Sequence, residues 1–348
     1  MKESRRAAAD SDDFFAAPTA ASMIVAARAD EALLRLARQL PDHVYLGTSS
    51  WSFPGWRGLV YGGDYSEAQL ARAGLAAYAA HPLLRAVGLD RGFYQPLPQA
   101  AYAHYARQVP VHFRFVVKAP SLVTDAVRRG AGGQPTATNP HFLDARVAAE
   151  LFVQPALAGL AATAGALVFQ LSPLPRELLR PPASHRLIEQ IGAFFAELPR
   201  AVAAATPVYA LEVRDAALLT PRLVRTLRQA GARLVVAVHP RLPHAARQAT
   251  ALRALDAAED ASNTWRLRGP LVVRWNLRAG LRYEEAKRRF APFDRLQAPD
   301  LVTRGTLVHL IHVAIASAQP AYVIVNNKAE GCGPVSCIEL ARAVVANC

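Results

Sequence analysis

The chain has 348 residues, 52% of them apolar, with 40 basic and 27 acidic side chains and a formal charge of +13. That length holds one large domain or two ordinary ones, the apolar share is enough for a full core, and no window nears the roughly 18 uninterrupted apolar residues of a membrane-spanning helix. The basic excess admits a nucleic-acid or anionic-membrane partner, yet the arginines are scattered, with no more than three basic residues in a row.

Four lysines (Lys2, Lys118, Lys287 and Lys328) stand beside 36 arginines, so a lysine at a strand end is more informative than an arginine there. Cys332, Cys337 and Cys348 lack the C-x-x-C spacing of a metal site and read as reduced thiols. With no apolar leader after Met1, the expectation is a cytoplasmic protein without metal or tightly held cofactor.

In chain order, residues 1 to about 18 are polar and aperiodic and are expected to be disordered. Ala21–Leu40 carries apolar residues near helical spacing and predicts an amphipathic helix that ends at Pro41, so residues 1–40 form an N-terminal extension to a domain over 41–348. Val44–Gly47 reads as a strand running into a loop dense in Ser, Trp, Pro and Gly up to Gly58. A helix follows over Ser66–Ala80, a strand over Leu84–Tyr94, a short helix over Pro98–Gln108 and a strand over Phe113–Val117.

Gly130–Pro140 reads as a long loop, then a helix over Leu143–Ala162. Strands follow over Ala166–Leu171, Val208–Val213, Arg233–Val238, Leu271–Trp275 and Ala321–Val325. Between and after them lie helices over Ser184–Leu198, Pro221–Ala230, Ala245–Ala258, Tyr283–Phe290, Arg304–Ala318 and Val335–Val345. The strands are continuous apolar runs, the mark of a parallel sheet buried on both faces. Eight strand-helix units without a G-x-G-x-x-G after the first strand predict an α/β fold, a (β/α)8 barrel with an N-terminal helical extension.

Several separated motifs carry a resemblance: Gly47-Thr48-Ser49-x-Trp51, Pro54-Gly55-Trp56, Phe93-Tyr94, Phe113 to Pro120, Phe169-Gln170, Leu211 to Arg214 and Asn326-Asn327. Together, and in order from about 44 to 345, they resemble the DUF72 (YecE-like) family. The resemblance implies a TIM barrel, grouped by fold with sugar isomerases, and no established reaction. The chain reads Gly88-x-Asp90, Arg214-Asp215 and Arg274-Trp275-Asn276 where the family commonly has Glu-x-Asn, Arg-His and Arg-x-His.

A barrel of this type builds its site at the C-terminal ends of its strands. The polar residues there are Trp51, Asp90, Arg91, Tyr94, Lys118, Gln170, Glu212, Arg214, His239, Arg274, Asn276, Asn326, Asn327 and Lys328. Asp90, Lys118 and Glu212 are the candidates for acid-base work. Trp51, Tyr94, Gln170, Arg214, Arg274, Asn326, Asn327 and Lys328 are the candidates for substrate binding. Each has a plainer reading: Glu212 with Arg214 as an ion pair, Lys118 paired with Asp90 or Glu212, the aromatic residues as packing, and the amides as partners of backbone groups.

The expected function is an enzyme, isomerase or hydrolase, acting on a small anionic or polyhydroxylated substrate, sugar- or phosphate-like, at the barrel mouth. The alternative is a barrel that binds RNA or another anionic polymer. Too few His and carboxylate residues converge for a metal, Ser49, Ser50 and Ser52 lack a G-x-S-x-G elbow, and Cys332 and Cys337 fit packing better than nucleophilic roles.

Overall fold

Parallel pairing runs through every strand that the continuous apolar stretches predict. The computed structural model describes residues 23–130, 132–202, 206–257 and 265–347. Its strands are β1 Val44–Thr48, β2 Leu84–Leu89, β3 Arg114–Lys118, β4 Val127–Arg129, β5 Pro135–Thr138, β6 Ala164–Gln170, β7 Val208–Glu212, β8 Arg233–Leu234, β9 Val236–Val238, β10 Leu271–Trp275 and β11 Ala321–Val325. Nine of them form one parallel sheet in the order β8-β7-β6-β3-β2-β1-β11-β10-β9.

The two ends of that order are halves of one stretch of chain. Only Val235 separates β8 from β9, and its amide donates to the Leu211 carbonyl at 2.9 Å. The eight predicted strands therefore close a (β/α)8 barrel, with 233–238 pairing β7 on one side and β10 on the other. Strands β4 and β5 form a separate antiparallel hairpin, with β4 just before the segment read as a loop and β5 inside it. Its polar, solvent-exposed residues have no apolar period to reveal a strand.

Side chains alternate in and out along each strand. Ala86, Val116, Ala166, Val168, Ala210, Val235, Ala237, Val272, Tyr322 and Ile324 fill the barrel interior as one apolar cluster. They are mostly small, as a narrow barrel requires, and Tyr45 stacks on Tyr322 at 5.3 Å. Outward residues such as Val87, Phe115, Val117, Phe169 and Leu211 belong to the larger core shared with the helices.

Helices form where the sequence marks their ends. For Pro221–Ala230, Thr220 accepts from the Leu223 amide, Pro221 occupies the first turn and Gly231 ends the helix at φ 70. These are the preferred residues at those positions, and the buried face is Leu223, Val224, Leu227 and Ala230. The run Ala145–Thr163 is long and apolar enough to cross a membrane by composition. Its apolar surface packs within the fold instead: Ala156, Leu157, Gly159 and Leu160 are buried, and a Cβ on Gly159 would stand 2.5 Å from the Gln99 carbonyl oxygen.

The N-terminal helix is shorter than predicted. It spans Glu31–Gln39 with Asp30 as its cap, while residues 23–29 are not helical and Ala26 bridges Tyr61. The expectation for residues 1 to about 18 lies outside the described residues. Leu36, Ala37 and Leu40 are buried, and Arg85 of β2 donates to the carbonyls of Ala37, Leu40 and Pro41. Burying one leucine is worth about 1.5–3 kcal/mol. A chain starting at Pro41 is thus expected to melt several degrees below one starting at Met23, read by thermal denaturation. Equal melting temperatures would show that this helix adds nothing to the barrel.

Candidate functional site

The alternation that fills the barrel also selects what lines its mouth. Two residues beyond Val116 on the same face is Lys118, beyond Val168 is Gln170, beyond Ala210 is Glu212 and then Arg214. Beyond Ala237 is His239, beyond Val272 is Arg274 and then Asn276, beyond Ile324 is Asn326, and beyond Ala86 and Gly88 is Asp90. All of these except Glu212 line one cavity of about 430 Å³, together with Pro173, Arg241, Leu277 and Tyr283.

Glu212 lies beneath that cavity, fully buried. Its Oε1 takes Arg214 Nη2 at 2.6 Å and Asn276 Nδ2 at 3.4 Å, and its Oε2 takes Arg274 Nη1 at 2.9 Å. Burial pushes the carboxyl up, but Arg274 and Arg214 outweigh it and hold the group below the usual carboxylate range. Gln170 Oε1 accepts from Arg214 at 2.7 Å and from Arg274 at 3.1 Å. Arg274 also donates to Asp90 Oδ2 at 2.8 Å. Both Glu212 oxygens are thus occupied, and they hold the two guanidinium groups in place.

Lys118 has no carboxylate on its amine among the described residues. Its Nζ stands 3.4 Å from the centroid of the Phe93 ring. Burial pushes the amine down to about 8; Asp90 and Glu212 pull it up, while Arg274 and Arg214 push it further down. His239 is held near 4, by burial first and then by Arg214, so it is neutral at pH 7. Its Nδ1 accepts from the Arg241 amide at 3.2 Å, which puts the ring proton on Nε2. Arg241 is neutralised by Asp215 at 3.0 Å. Lys118, Arg214 and Arg274 then face Asp90 and Glu212, leaving one positive charge in excess.

Four of the predicted site residues fall elsewhere. Trp51 is buried, its indole N–H donating to the Leu70 carbonyl at 3.0 Å and its ring covered by Arg91. Tyr94 is 90% exposed on the turn after β2 and does not line the cavity. Asn327 points outward, where its Oδ1 accepts the Gly333 amide at 2.7 Å and holds the start of the last helix. Lys328 comes after the chain has turned, and its Nζ meets Asn326 Oδ1 at 3.2 Å and the Tyr283 ring at 4.4 Å.

Sequence reasoning missed Arg241, Pro173, Leu277 and Tyr283. Arg241 was within reach, two residues past His239, whereas Tyr283 comes in from the excursion after β10. Cys332 and Cys337 are buried and free, and burial pushes the Cys332 thiol up to about 12, so it stays protonated. Cys348 lies outside the described residues. Of two larger clefts, one of about 640 Å³ lies between helices, and one of about 570 Å³ runs between helices and the loops after β7 and β9, sharing Arg241 with the site cavity. Neither includes any residue named from the strand ends, so the chemistry points to the smaller cavity.

Among proteins of known sequence, the family model described as protein of unknown function DUF72 matches residues 45–347. The chain belongs to the DUF72 family. No curated protein matches it. Among solved structures it is similar to a DUF72 family protein from Enterococcus faecalis V583, with 18% identity and a TM-score of 0.53, covering 86% of this chain and 95% of that one. It is also similar to one from Thermotoga maritima MSB8, with 19% identity and a TM-score of 0.53, covering 86% and 98%. At that identity the likeness extends to the DUF72 barrel and not to its chemistry.

Proposed function

We propose that this DUF72 protein is a cytoplasmic enzyme that binds a small anionic or polyhydroxylated substrate at the C-terminal mouth of the barrel. The reading is carried by the convergence of Lys118, Arg214 and Arg274 on one cavity with a net positive charge. Arg214 and Arg274, held from below by Glu212 and Gln170, would clamp a carboxylate or phosphate. His239, Asn276 and Asn326 offer neutral hydrogen bonds suited to hydroxyl groups, and Lys118 with Asp90 would move protons. Many arginines outside the mouth are engaged by neighbours, as Arg57 is by Asp64, Arg222 by Glu189, Arg342 by Glu339 and Arg228 by the Leu255 carbonyl. That distribution favours a small-molecule pocket over a track for a polymer.

The pH dependence of anion binding tests the reading, with sulfate as the probe because its charge is constant near neutrality. A bound anion favours the protonated amine. Below about 8 Lys118 already carries its proton and affinity is flat. Above that, the proton must be taken up with the ligand, so affinity falls by up to about tenfold per pH unit. Lys118→Met should flatten the profile, and Lys328→Met should leave it. No sulfate binding at pH 7, or an unchanged profile in Lys118→Met, would overturn the assignment.

A further inference from the structure

We propose that Lys118 captures its substrate covalently, as an imine with a ketone or aldehyde that also bears a carboxylate or phosphate. The inference rests on the anion-binding reading above and narrows its substrate class. Its basis is how the mouth shares out its charges. Glu212 is saturated by Arg214, Arg274 and Asn276, and Asp90 Oδ2 is taken by Arg274. Both arginines thus consume the carboxylates that would otherwise hold a lysine as a structural ammonium. The Lys118 amine is left against the face of Phe93, with two guanidinium groups nearby and the open cavity beside it.

A desolvated amine next to other cations is the arrangement that makes lysine a nucleophile near neutral pH. The shift to about 8 agrees with that geometry. At pH 7 such an amine is free base in roughly a tenth of molecules, against well under a thousandth for an ordinary exposed lysine. Lys328 shows the contrast. It is also buried and also shifted to about 8, but it does not itself line the cavity, and its amine is hydrogen-bonded to Asn326 behind the Tyr283 and Phe293 rings.

The chemistry closes without an added reactant. The Lys118 nitrogen lone pair attacks the carbonyl carbon, and the carbonyl π electrons move to oxygen. A proton passes from nitrogen to that oxygen, giving a carbinolamine. The C–O bond then breaks, the oxygen leaves with a further proton as water, and nitrogen keeps the positive charge in a C=N bond. Net, an ammonium and a carbonyl become an iminium and water. Asp90, whose Oδ1 takes no hydrogen bond from the described residues, would relay the proton, and Arg214 and Arg274 would anchor the anionic end.

Sodium borohydride tests this with pyruvate and dihydroxyacetone phosphate as the carbonyl probes. Hydride reduces the iminium to a stable secondary amine, adding the mass of the probe less one oxygen atom. Because the chain has only four lysines, Lys2, Lys118, Lys287 and Lys328, peptide mapping assigns the adduct directly. The expected result is labelling of Lys118 about tenfold or more above Lys287, suppressed by sulfate, lost in Lys118→Met and kept in Lys328→Met. Mapping in the unaltered chain needs no variant to fold. Even labelling of all four lysines, or labelling centred on Lys328, would overturn the inference. No adduct from either probe by a protein that still binds sulfate would overturn it too while leaving the anion site standing; absence of both would remove the anion site as well.

Discussion

Glu212→Ala is expected to destabilise the protein by about 3–5 kcal/mol in urea denaturation and to weaken anion binding in whatever remains folded. The carboxylate is wholly buried and is the common partner of Arg214 and Arg274. Removing one member of a buried ion pair leaves an uncompensated charge, and that penalty sets the magnitude. Arg274 keeps Asp90, but Asp90 is 40% exposed and screened by water, so it makes up only part of the loss. Glu212→Gln keeps the shape and one acceptor and should fall between the two. The linkage has a definite sign. A carboxyl held below its ordinary range stabilises the fold fully above about pH 4.5, and the contribution is lost as pH falls through the lowered value. Wild-type acid lability should therefore shrink in Glu212→Gln. A Glu212→Ala protein within about 1 kcal/mol of wild type would mean that the two arginines do not depend on this carboxylate.

Gly47→Ala is expected to be the most damaging one-methyl change in the barrel. An ideal Cβ at Gly47 would stand 1.8 Å from the Ala86 carbonyl oxygen and 2.4 Å from its carbon. These are backbone atoms of the neighbouring strand, at the point where the β1-β2 register shifts, so neither side can give way by rotating a side chain. Overpacking alone costs about 1–3 kcal/mol where side chains can adjust, and here β2 itself must move. The expected outcome is insoluble protein or a melting temperature lower by roughly ten degrees or more. Gly305→Ala is the control. It lies on an exposed helix face with nothing within 4 Å of the added carbon, and alanine's helix propensity should raise stability by up to about 1 kcal/mol. A soluble Gly47→Ala protein with an unchanged melting temperature would disprove the close approach of the two strands.

Strand positions were legible because strands buried on both faces must be apolar throughout, and Leu271–Trp275 and Ala321–Val325 match the reading residue for residue. The inward series was legible for the same geometric reason, which is why Lys118, Gln170, Glu212 and Arg274 were found. Alternation holds only while the chain stays extended. β11 ends at Val325 and the chain turns over Asn326–Ala329, with the Ala329 amide on the Asn326 carbonyl. Asn327 and Lys328 therefore leave the site that strand-end reasoning gave them. Trp51 left it in the same way, past the end of β1. The sequence offered no period for the β4-β5 hairpin, whose residues are polar and exposed, nor for Arg241 and Tyr283, which approach from loops. It showed that Glu212 and Arg214 share a face, but not that Arg274, 62 residues beyond Glu212, completes the cluster.

Lys118 and Arg214 are proposed to form one anion site at the mouth of the barrel. Titration calorimetry at pH 7 with sulfate, phosphate and sugar phosphates tests it most directly, on the unaltered chain and on Lys118→Ala, Arg214→Ala and Arg72→Ala. Arg72 is exposed near the end of a helix and reports the effect of removing a charge at random. A hydrogen bond to a charged group is worth about 1.5–3 kcal/mol, so each of the first two variants should bind roughly 10- to 150-fold more weakly. Arg72→Ala should bind as the wild type does, and all three should keep a cooperative melt. No binding by the unaltered chain, or an equal loss in all three variants, would rule out an anion site built on Lys118 and Arg214.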